Sequence, residues 1–204
     1  MLAVTPNPGP DEATAVAAGN FTATRFALPG PVLIAARRLG DHRGFFLETY
    51  NARDFATLGV PDVFVQDNHA FSAAQGTLRG LHFQLPPRAQ AKLVRVLHGA
   101  ILDVAVDVRR SSPHFGRHVA VELSAENACQ LYVPAGFAHA YCTLTPDVAV
   151  AYKVTDLYAP ECERAIRWDD PELGLPWPFP PELVRLSERD RVAPCLREAA
   201  ELFD

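Results

Sequence analysis

The chain has little lysine, few cysteines and no long apolar run. Of its 19 basic residues, only Lys92 and Lys153 are lysines. The four cysteines form no CxxC pair, so we expect free thiols and neither a zinc site nor a disulfide framework. No apolar run approaches the ~18 residues of a membrane-spanning helix, and no basic residue precedes Arg25, as a secretion signal would require. These absences predict a soluble, cytoplasmic protein.

Charge and composition narrow the class of protein further. A net charge of −5 and a pI of about 5.8 provide no broad basic field, so we expect neither a nucleic acid nor an anionic membrane as partner. Proline is abundant, because the chain has 18 prolines beside 12 glycines. That content limits long helices and predicts many short elements joined by turns.

The sequence divides into a central domain and two appendages. Residues 1–24 are rich in Ala, Pro, Gly and Thr without a clear period, and predict a flexible or weakly helical extension. Residues 25–192 form the predicted domain. Residues 193–204 predict a terminal amphipathic helix, in which Leu196, Ala199, Ala200 and Phe203 share one stripe behind Pro194.

One short helix and many strands are predicted within the domain. Asn51 can cap a helix that contains Phe55 and ends at Gly59. From residue 63 to 155 the apolar period is two, which is typical of strands buried on one face. Between residues 101 and 108, for example, the even positions are apolar and two odd positions are aspartate. This pattern favours an antiparallel sandwich or barrel, with a jelly roll among the leading candidates.

Strand parity places two polar residues on apolar faces. Lys92 has the parity of Val94 and Val96, and Tyr152 that of its neighbouring valines. A buried lysine is costly without a partner or a role, although a bulge would let it reach solvent. For Tyr152 alone, core packing is the simpler interpretation.

His82 and Asp190 also have structural interpretations when each is taken alone. His82 shares strand parity with Leu78 and Gln84, and a single histidine near an apolar face is more often a core residue than a base or ligand. Asp190 stands at the third position after Ser187, which fits a helix cap.

In combination, these residues stand in stretches that resemble the dTDP-4-dehydrorhamnose 3,5-epimerase family. The similarity spans roughly residues 26 to 191. Its stretches are 43–48, 65–69, 76–87, 90–96, 103–109, 112–117, 123–127, 136–139, 152–153, 168–171 and 186–190, with Tyr158 and Pro160. The resemblance implies an all-β, cupin-like jelly-roll barrel of antiparallel strands with short flanking helices, usually assembled as a homodimer.

The family resemblance also implies a reaction. It is the inversion of C3 and C5 in dTDP-4-dehydro-6-deoxyglucose, which gives dTDP-4-dehydro-L-rhamnose without a cofactor. Both carbons flank the C4 carbonyl, so their protons are acidic, and a base, an acid and an oxyanion partner are needed. By position, His82 matches the base, Asp190 its carboxylate, and Tyr152 the acid on the opposite face. Lys92 matches a lysine suited to the C4 oxygen.

Substrate contacts follow from the same resemblance. The matching positions are Arg43, Glu48, Gln66, Asn68, Arg79, His139, Tyr158, Glu163 and Arg189. Arginine suits a diphosphate because its planar fork binds two oxygens at once. Phe46 or its neighbour Phe45 is suited to stack on the thymine, and the alternative for both is core packing.

Other functions remain open at this point. A non-catalytic sugar-nucleotide-binding jelly roll would not need the acid or the base, yet both are present. A metal-dependent cupin isomerase or dioxygenase commonly uses an HxH pair, and the chain contains none. Many family members carry Gly-Phe after the histidine, where this chain has Ala140-Tyr141-Cys142. That departure keeps a C3-only or C5-only epimerase as the alternative.

Overall fold

The computed structural model describes residues 15–204. This part of the chain forms fourteen strands, two short α-helices and short 3₁₀ turns. The strands are β1 (Val16–Ala18), β2 (Phe21–Arg25), β3 (Val32–Ala36), β4 (Arg38–Asp41), β5 (Gly44–Leu47), β6 (Gln66–Ser72), β7 (Leu78–Gln84), β8 (Lys92–His98), β9 (Ala100–Asp107), β10 (His118–Ser124), β11 (Cys129–Val133), β12 (Phe137–Thr143), β13 (Val148–Val154) and β14 (Glu163–Ala165). The helices are α1 (Ala52–Thr57) and α2 (Glu188–Arg191). None of the described helices has the length and apolarity to cross a membrane.

The strands form two antiparallel sheets and a separate hairpin. The larger sheet has the strand order β1-β2-β3-β11-β8-β13-β6, and the smaller has the order β10-β9-β12-β7-β14. Strands β4 and β5 pair with each other. The sheets share an apolar layer, to which β8, β11 and β13 contribute from one side and β9, β10 and β12 from the other. The predicted all-β jelly roll with short helices is therefore confirmed.

Strand β9 is buried on both faces, whereas its alternation predicted one buried face. Val104 and Val106 pack against Ile166 and other residues of the segment that follows β14. Asp103 and Asp107, on the opposite parity, are 0% exposed. The aspartates have the parity of Ile101 and Ala105, which belong to the layer between the two sheets, so they face the interior of the barrel, while the C-terminal segment covers the valine face.

Helix α1 begins and ends where the sequence predicts. The Asn51 side chain accepts a hydrogen bond from the Asp54 N–H at 2.8 Å, which satisfies one free donor of the first turn. Phe55 and Leu58 are buried against the outer face of the larger sheet, where they join Phe21.

The predicted N-terminal extension is wrong for residues 16–24. Strands β1 and β2 belong to the larger sheet, and Phe21 and Ala23 are 2% exposed. Their short Ala/Thr-rich pattern gives little periodicity, but pairing with β3 and packing against α1 make them strands. The remainder of that extension, residues 1–14, lies outside the described residues.

The predicted C-terminal helix is also wrong. Residues 193–204 contain one 3₁₀ turn, Leu196–Glu198, and otherwise run in irregular or extended conformation. The Phe203 carbonyl accepts a hydrogen bond from the Arg110 N–H at 2.8 Å, and Leu202 is buried. The apolar residues pack on the outer face of the smaller sheet, and this tertiary contact outweighs the helical pattern.

Candidate active site

A bulge in β7 brings Arg79 and His82 to one cavity. Across the pair β7–β12, His82 opposes His139 and Arg79 opposes Tyr141, so β7 has one residue more than β12 over this step. Gly80 lies inside the bulge with φ +117°, a conformation that favours glycine. The bulge switches the parity of the strand. The expectation that Leu78 shares the face of His82 is therefore wrong, since Leu78 packs in another cluster with Trp168.

His82 is paired with Asp190. Its Nε2 lies 2.6 Å from Asp190 Oδ1, and Asp190 is 2% exposed. Burial alone would raise the pKa of Asp190, but the hydrogen bond and charge of His82 outweigh it, so the pKa falls below its usual value. The Ser187 hydroxyl accepts a hydrogen bond from the Asp190 N–H at 3.1 Å and caps helix α2. Asp190 therefore fits the cap with its backbone and holds the imidazole with its carboxylate.

Lys92 and Tyr152 point inward from neighbouring strands. On β8 and β13, Lys92 opposes Val154 and Tyr152 opposes Val94. Lys92 Nζ donates a hydrogen bond to the His82 carbonyl at 3.3 Å. Burial lowers the pKa of Lys92 from 10.5 to about 8, although the charges of Glu163 and Asp103 act against it. Burial also raises the pKa of Tyr152, so the phenol stays protonated at neutral pH.

These four side chains line one cavity of about 430 Å³. The other lining residues that carry polar side chains are Thr77, Arg79, His139, Tyr141, Arg185 and Ser187. A second cavity of about 270 Å³ shares His82, Lys92 and Tyr152 with the first. The predicted contacts Gln66, Asn68, Tyr158 and Glu163 line the second cavity. The structure therefore places His82, Lys92 and Tyr152 where the two cavities meet, and Asp190 in the first.

An ionic network borders the second cavity. The Glu163 carboxylate accepts hydrogen bonds from the Tyr158 hydroxyl at 2.7 Å and from Arg189. Burial would raise the pKa of Glu163, but Arg189 and Tyr158 hold it below its usual value. The Tyr158 ring is 56% exposed, so one face of it is available to a flat ligand.

A second histidine–aspartate pair involves His139, which lines the first cavity. His139 Nε2 is 2.7 Å from Asp103 Oδ1, and Asp103 Oδ2 has no hydrogen-bond partner within residues 15–204. The sequence identified His139 but not Asp103. The available signal was the pair of aspartates on β9 at the parity opposite to the valines, which the alternation assigned to an outer face.

Three of the predicted substrate contacts lie away from the two cavities. Arg43 pairs with Asp41 at the turn between β4 and β5. Glu48 accepts hydrogen bonds from the side chains of Asn20 and Asn51 at 3.0 and 2.9 Å. Phe46 is 65% exposed, as is Phe45 at 61%. Core packing of these two rings is therefore wrong, and neither Arg43, Glu48 nor Phe46 lines the cavities around His82.

The residues around the cavity are not grouped as a metal site. Within residues 15–204, no three or more His, Cys, Asp or Glu side chains stand where they could hold a metal ion together. The cavity instead combines an imidazole paired with a carboxylate, His82 with Asp190, and an ammonium with a protonated phenol, Lys92 with Tyr152. Such a set can move a proton to and from a carbon next to a carbonyl.

Fold and site together define a jelly-roll isomerase that works by proton transfer. The sequence model of dTDP-4-dehydrorhamnose 3,5-epimerases matches residues 25–198. The chain belongs to this family and is an epimerase.

Individual relatives are similar to this chain over most of their length. The dTDP-4-dehydrorhamnose 3,5-epimerase of Pseudomonas aeruginosa is 51% identical over 178 residues, which cover 87% of this chain and 97% of that protein. The enzyme of the same name from Sinorhizobium fredii is 52% identical over 172 residues, covering 84% and 87%. A crystal structure of dTDP-6-deoxy-D-glucose-3,5-epimerase from Legionella pneumophila, in complex with dTDP-4-keto-L-rhamnose, superposes with a TM-score of 0.83 at 43% identity, covering 87% and 94%.

Proposed function

We propose that this chain inverts C3 and C5 of dTDP-4-dehydro-6-deoxyglucose to give dTDP-4-dehydro-L-rhamnose. The observation that carries the proposal is that His82, held by Asp190, lines the same cavity as Tyr152 and Lys92. These groups are the base, acid and oxyanion partner that the reaction requires. The relatives named above support the substrate and the inversion of both carbons.

The first proposed step is proton removal next to the ketone. His82 engages Asp190 through Nε2, so Nδ1 is the nitrogen left to accept the proton from C3 or C5. The electron pair of the broken C–H bond forms a double bond between that carbon and C4. The π pair of the C4 carbonyl moves to its oxygen, which becomes negatively charged. Asp190 stabilises the imidazolium that forms, and the ammonium of Lys92 stabilises the enolate oxygen.

The second proposed step returns a proton from the opposite face. The Tyr152 phenol gives its proton to the same carbon, the C4 carbonyl forms again, and the configuration is inverted. Tyr152 then regains a proton from solvent, and His82 releases its own. Repeating both steps at the other carbon completes the reaction.

The second cavity suits the nucleotide. Gln66 and Asn68 offer amide groups to a pyrimidine edge, and Tyr158 offers an exposed ring face for stacking. Arg79 and His139 line the first cavity, so we assign them to the diphosphate and the adjoining sugar oxygens. Arg189 and Glu163 then brace Tyr158.

We further propose a homodimer in which the β4–β5 hairpin of one chain completes the cavity of its partner. Arg43, Glu48 and Phe46 match substrate contacts by resemblance, yet they do not line this chain's own cavities around His82. Phe45 and Phe46 are both exposed, which is unfavourable for a hairpin that stays in water. A partner's nucleotide would cover both rings.

The proposed compartment is the cytoplasm, since all four cysteines are free. The net charge of −5 likewise supports a small-molecule substrate in place of nucleic acid or a membrane.

Proton exchange in deuterated water tests the function. The enzyme is incubated with dTDP-4-dehydro-6-deoxyglucose, and NMR locates the label. We expect deuterium at both C3 and C5, no exchange with His82→Ala, and normal exchange with the exposed control His98→Ala. Label at a single carbon would favour a C3-only or C5-only epimerase. Tight binding without exchange would overturn catalysis, and retained exchange in His82→Ala would exclude His82 as the base.

A further inference from the structure

The Tyr141 hydroxyl is a buried polar group without a well-placed hydrogen-bond partner. Tyr141 lies on β12 and is 4% exposed, and within residues 15–204 no group stands at hydrogen-bonding distance and angle from its hydroxyl oxygen. A phenylalanine would fill the same space without burying an unpaired hydroxyl. Because an unsatisfied buried hydroxyl is unfavourable, its presence points to a partner that binds in the cavity.

Neighbouring side chains are already engaged. Arg79 opposes Tyr141 on β7, and it donates hydrogen bonds to the Ser72 hydroxyl at 3.4 Å and to the Phe71 carbonyl at 3.1 Å. The His139 ring lies 6.3 Å from the Tyr141 ring, centroid to centroid, and is itself bonded to Asp103. Ser72 stands close enough to act on the titration of Tyr141 through a hydrogen bond, so it defines the structural alternative.

Tyr141 lines the cavity that holds the catalytic residues. It reaches this cavity from the smaller sheet, whereas Tyr152 reaches it from the larger sheet. The two phenols are close enough for Tyr152 to affect the titration of Tyr141. Under the proposed function Tyr152 touches the reacting carbon, so a second phenol that lines the same cavity lies near the sugar ring.

Tyr141 can act there as a hydrogen-bond donor. Burial raises the pKa of Tyr141 to about 12, so the phenol keeps its proton at neutral pH. An oxygen of the sugar would accept a hydrogen bond from the Tyr141 hydroxyl, which would then no longer be unpaired.

We propose that Tyr141 is a specificity-determining residue whose hydroxyl donates a hydrogen bond to a ring hydroxyl of the bound sugar. The inference rests on the proposed function, because it needs a sugar nucleotide in this cavity. Tyr141 would contact the sugar from the smaller sheet, and it is a position at which the sequence departs from the family pattern.

The variant Tyr141→Phe tests the proposal. We expect its kcat/KM for dTDP-4-dehydro-6-deoxyglucose to fall about three- to tenfold, as for one neutral hydrogen bond, while the Kd for dTDP stays unchanged. The matched control is Tyr132→Phe, whose hydroxyl donates to Asp62 at 2.6 Å outside the cavity, and whose kcat/KM should not change. An unchanged kcat/KM in Tyr141→Phe overturns the proposal, and so does an equal loss of dTDP affinity.

Deoxy substrates identify the partner. Two analogues are compared, one without the C2 hydroxyl and one without the C3 hydroxyl. With the analogue that lacks the hydroxyl bonded by Tyr141, wild type and Tyr141→Phe should react or bind equally well. If the difference persists with both analogues, the partner is not a ring hydroxyl and the proposal is wrong. The structural alternative predicts that Ser72→Ala reproduces Tyr141→Phe and that both lower the Tm. If wild type neither turns over nor exchanges the parent substrate, the proposed function itself has failed.

Discussion

His82 Nε2 lies 2.6 Å from Asp190 Oδ1, although the two residues are 108 positions apart in the chain. The carboxylate is buried and the imidazole borders the cavity, so the pair directs one ring nitrogen at the ligand and ties the other to the protein. We expect the function of the site to depend on this contact.

Asp190→Asn should lower kcat at least about a hundredfold. An amide can hold the ring but cannot stabilise the imidazolium, and it favours the wrong tautomer. Stopped-assay NMR of product formation measures the loss. Asp169→Asn, which removes the half-buried partner of Arg167 outside the cavities, is the matched control and should retain full activity. Near-normal turnover in Asp190→Asn would contradict the assigned pair.

Tyr152→Phe should separate exchange from inversion. His82 still removes and returns a proton on its own face, so deuterium enters the substrate with retained configuration. Inverted product should fall about a hundredfold or more, because the acid on the opposite face is lost. Chiral analysis of the labelled sugar reads both quantities at once. If inversion continues at the rate of wild type, another group is the acid.

Lys92→Met should stabilise the protein at pH 7 while it abolishes efficient turnover. In the folded protein, burial lowers the pKa of Lys92 from 10.5 to about 8, so the unfolded chain binds more protons between these values. Wild-type stability should therefore rise as the pH increases from about 8 to about 10.5, and the Met variant should lack this rise. At pH 7 the variant should gain up to about 3 kcal/mol.

Urea unfolding at pH 7 and pH 10 measures this difference. Lys153→Met is the matched control, since Lys153 pairs with the exposed Asp67 and should yield no comparable gain. Equal pH dependence in wild type and Lys92→Met would show that the ammonium is not buried in solution.

Gly80→Ala should destabilise the fold by about 2 kcal/mol or more. Its φ of +117° strains any other residue, and an added Cβ would lie 2.5 Å from the His139 carbonyl oxygen. Gly44→Ala is the matched control: its φ is +129°, but nothing lies within 4 Å of the added atom. The difference between the two variants isolates the clash. If both lose equal stability, the bulge tolerates a side chain.

A mixture of two inactive variants should recover activity. His82→Ala lacks the base, and Arg43→Ala/Phe46→Ala lacks the hairpin contacts proposed to act on the partner. In a mixed dimer one cavity carries both defects and the other carries neither, so turnover should reach a substantial fraction of wild type after subunit exchange. Should the mixture stay inactive although mixed dimers form, the hairpin does not act in trans.

Regular strands made part of the site predictable. Lys92 and Tyr152 lie on uninterrupted stretches of β8 and β13, so counting by two placed both side chains correctly in the cavity. The same counting failed on β7, because the extra residue at Gly80 reverses the parity between Leu78 and His82. A glycine in a strand permits a bulge, but the sequence does not reveal whether a bulge forms there and reverses the faces of the residues that follow.

Long-range packing set the other limits. The extended chain at 199–203 replaces the predicted helix because an apolar sheet face lies beneath it. Asp103 escaped notice because that same segment buries the valine face of β9 from outside, which leaves the aspartate face turned toward the interior of the barrel. Residues 43–48 carry the family pattern, yet no pattern within one chain tells whether they serve its own cavity.

The order of residues along the chain also determines when the base becomes functional during protein synthesis. Every strand of both sheets precedes Asp190, so a ribosome delivers the entire jelly roll before it delivers the carboxylate. A nascent chain that has completed β14 therefore has every strand of the barrel and His82, but not the carboxylate that pairs with it. Proton transfer should begin only when α2 closes over the barrel, which makes enzymatic activity a late marker of folding on the ribosome.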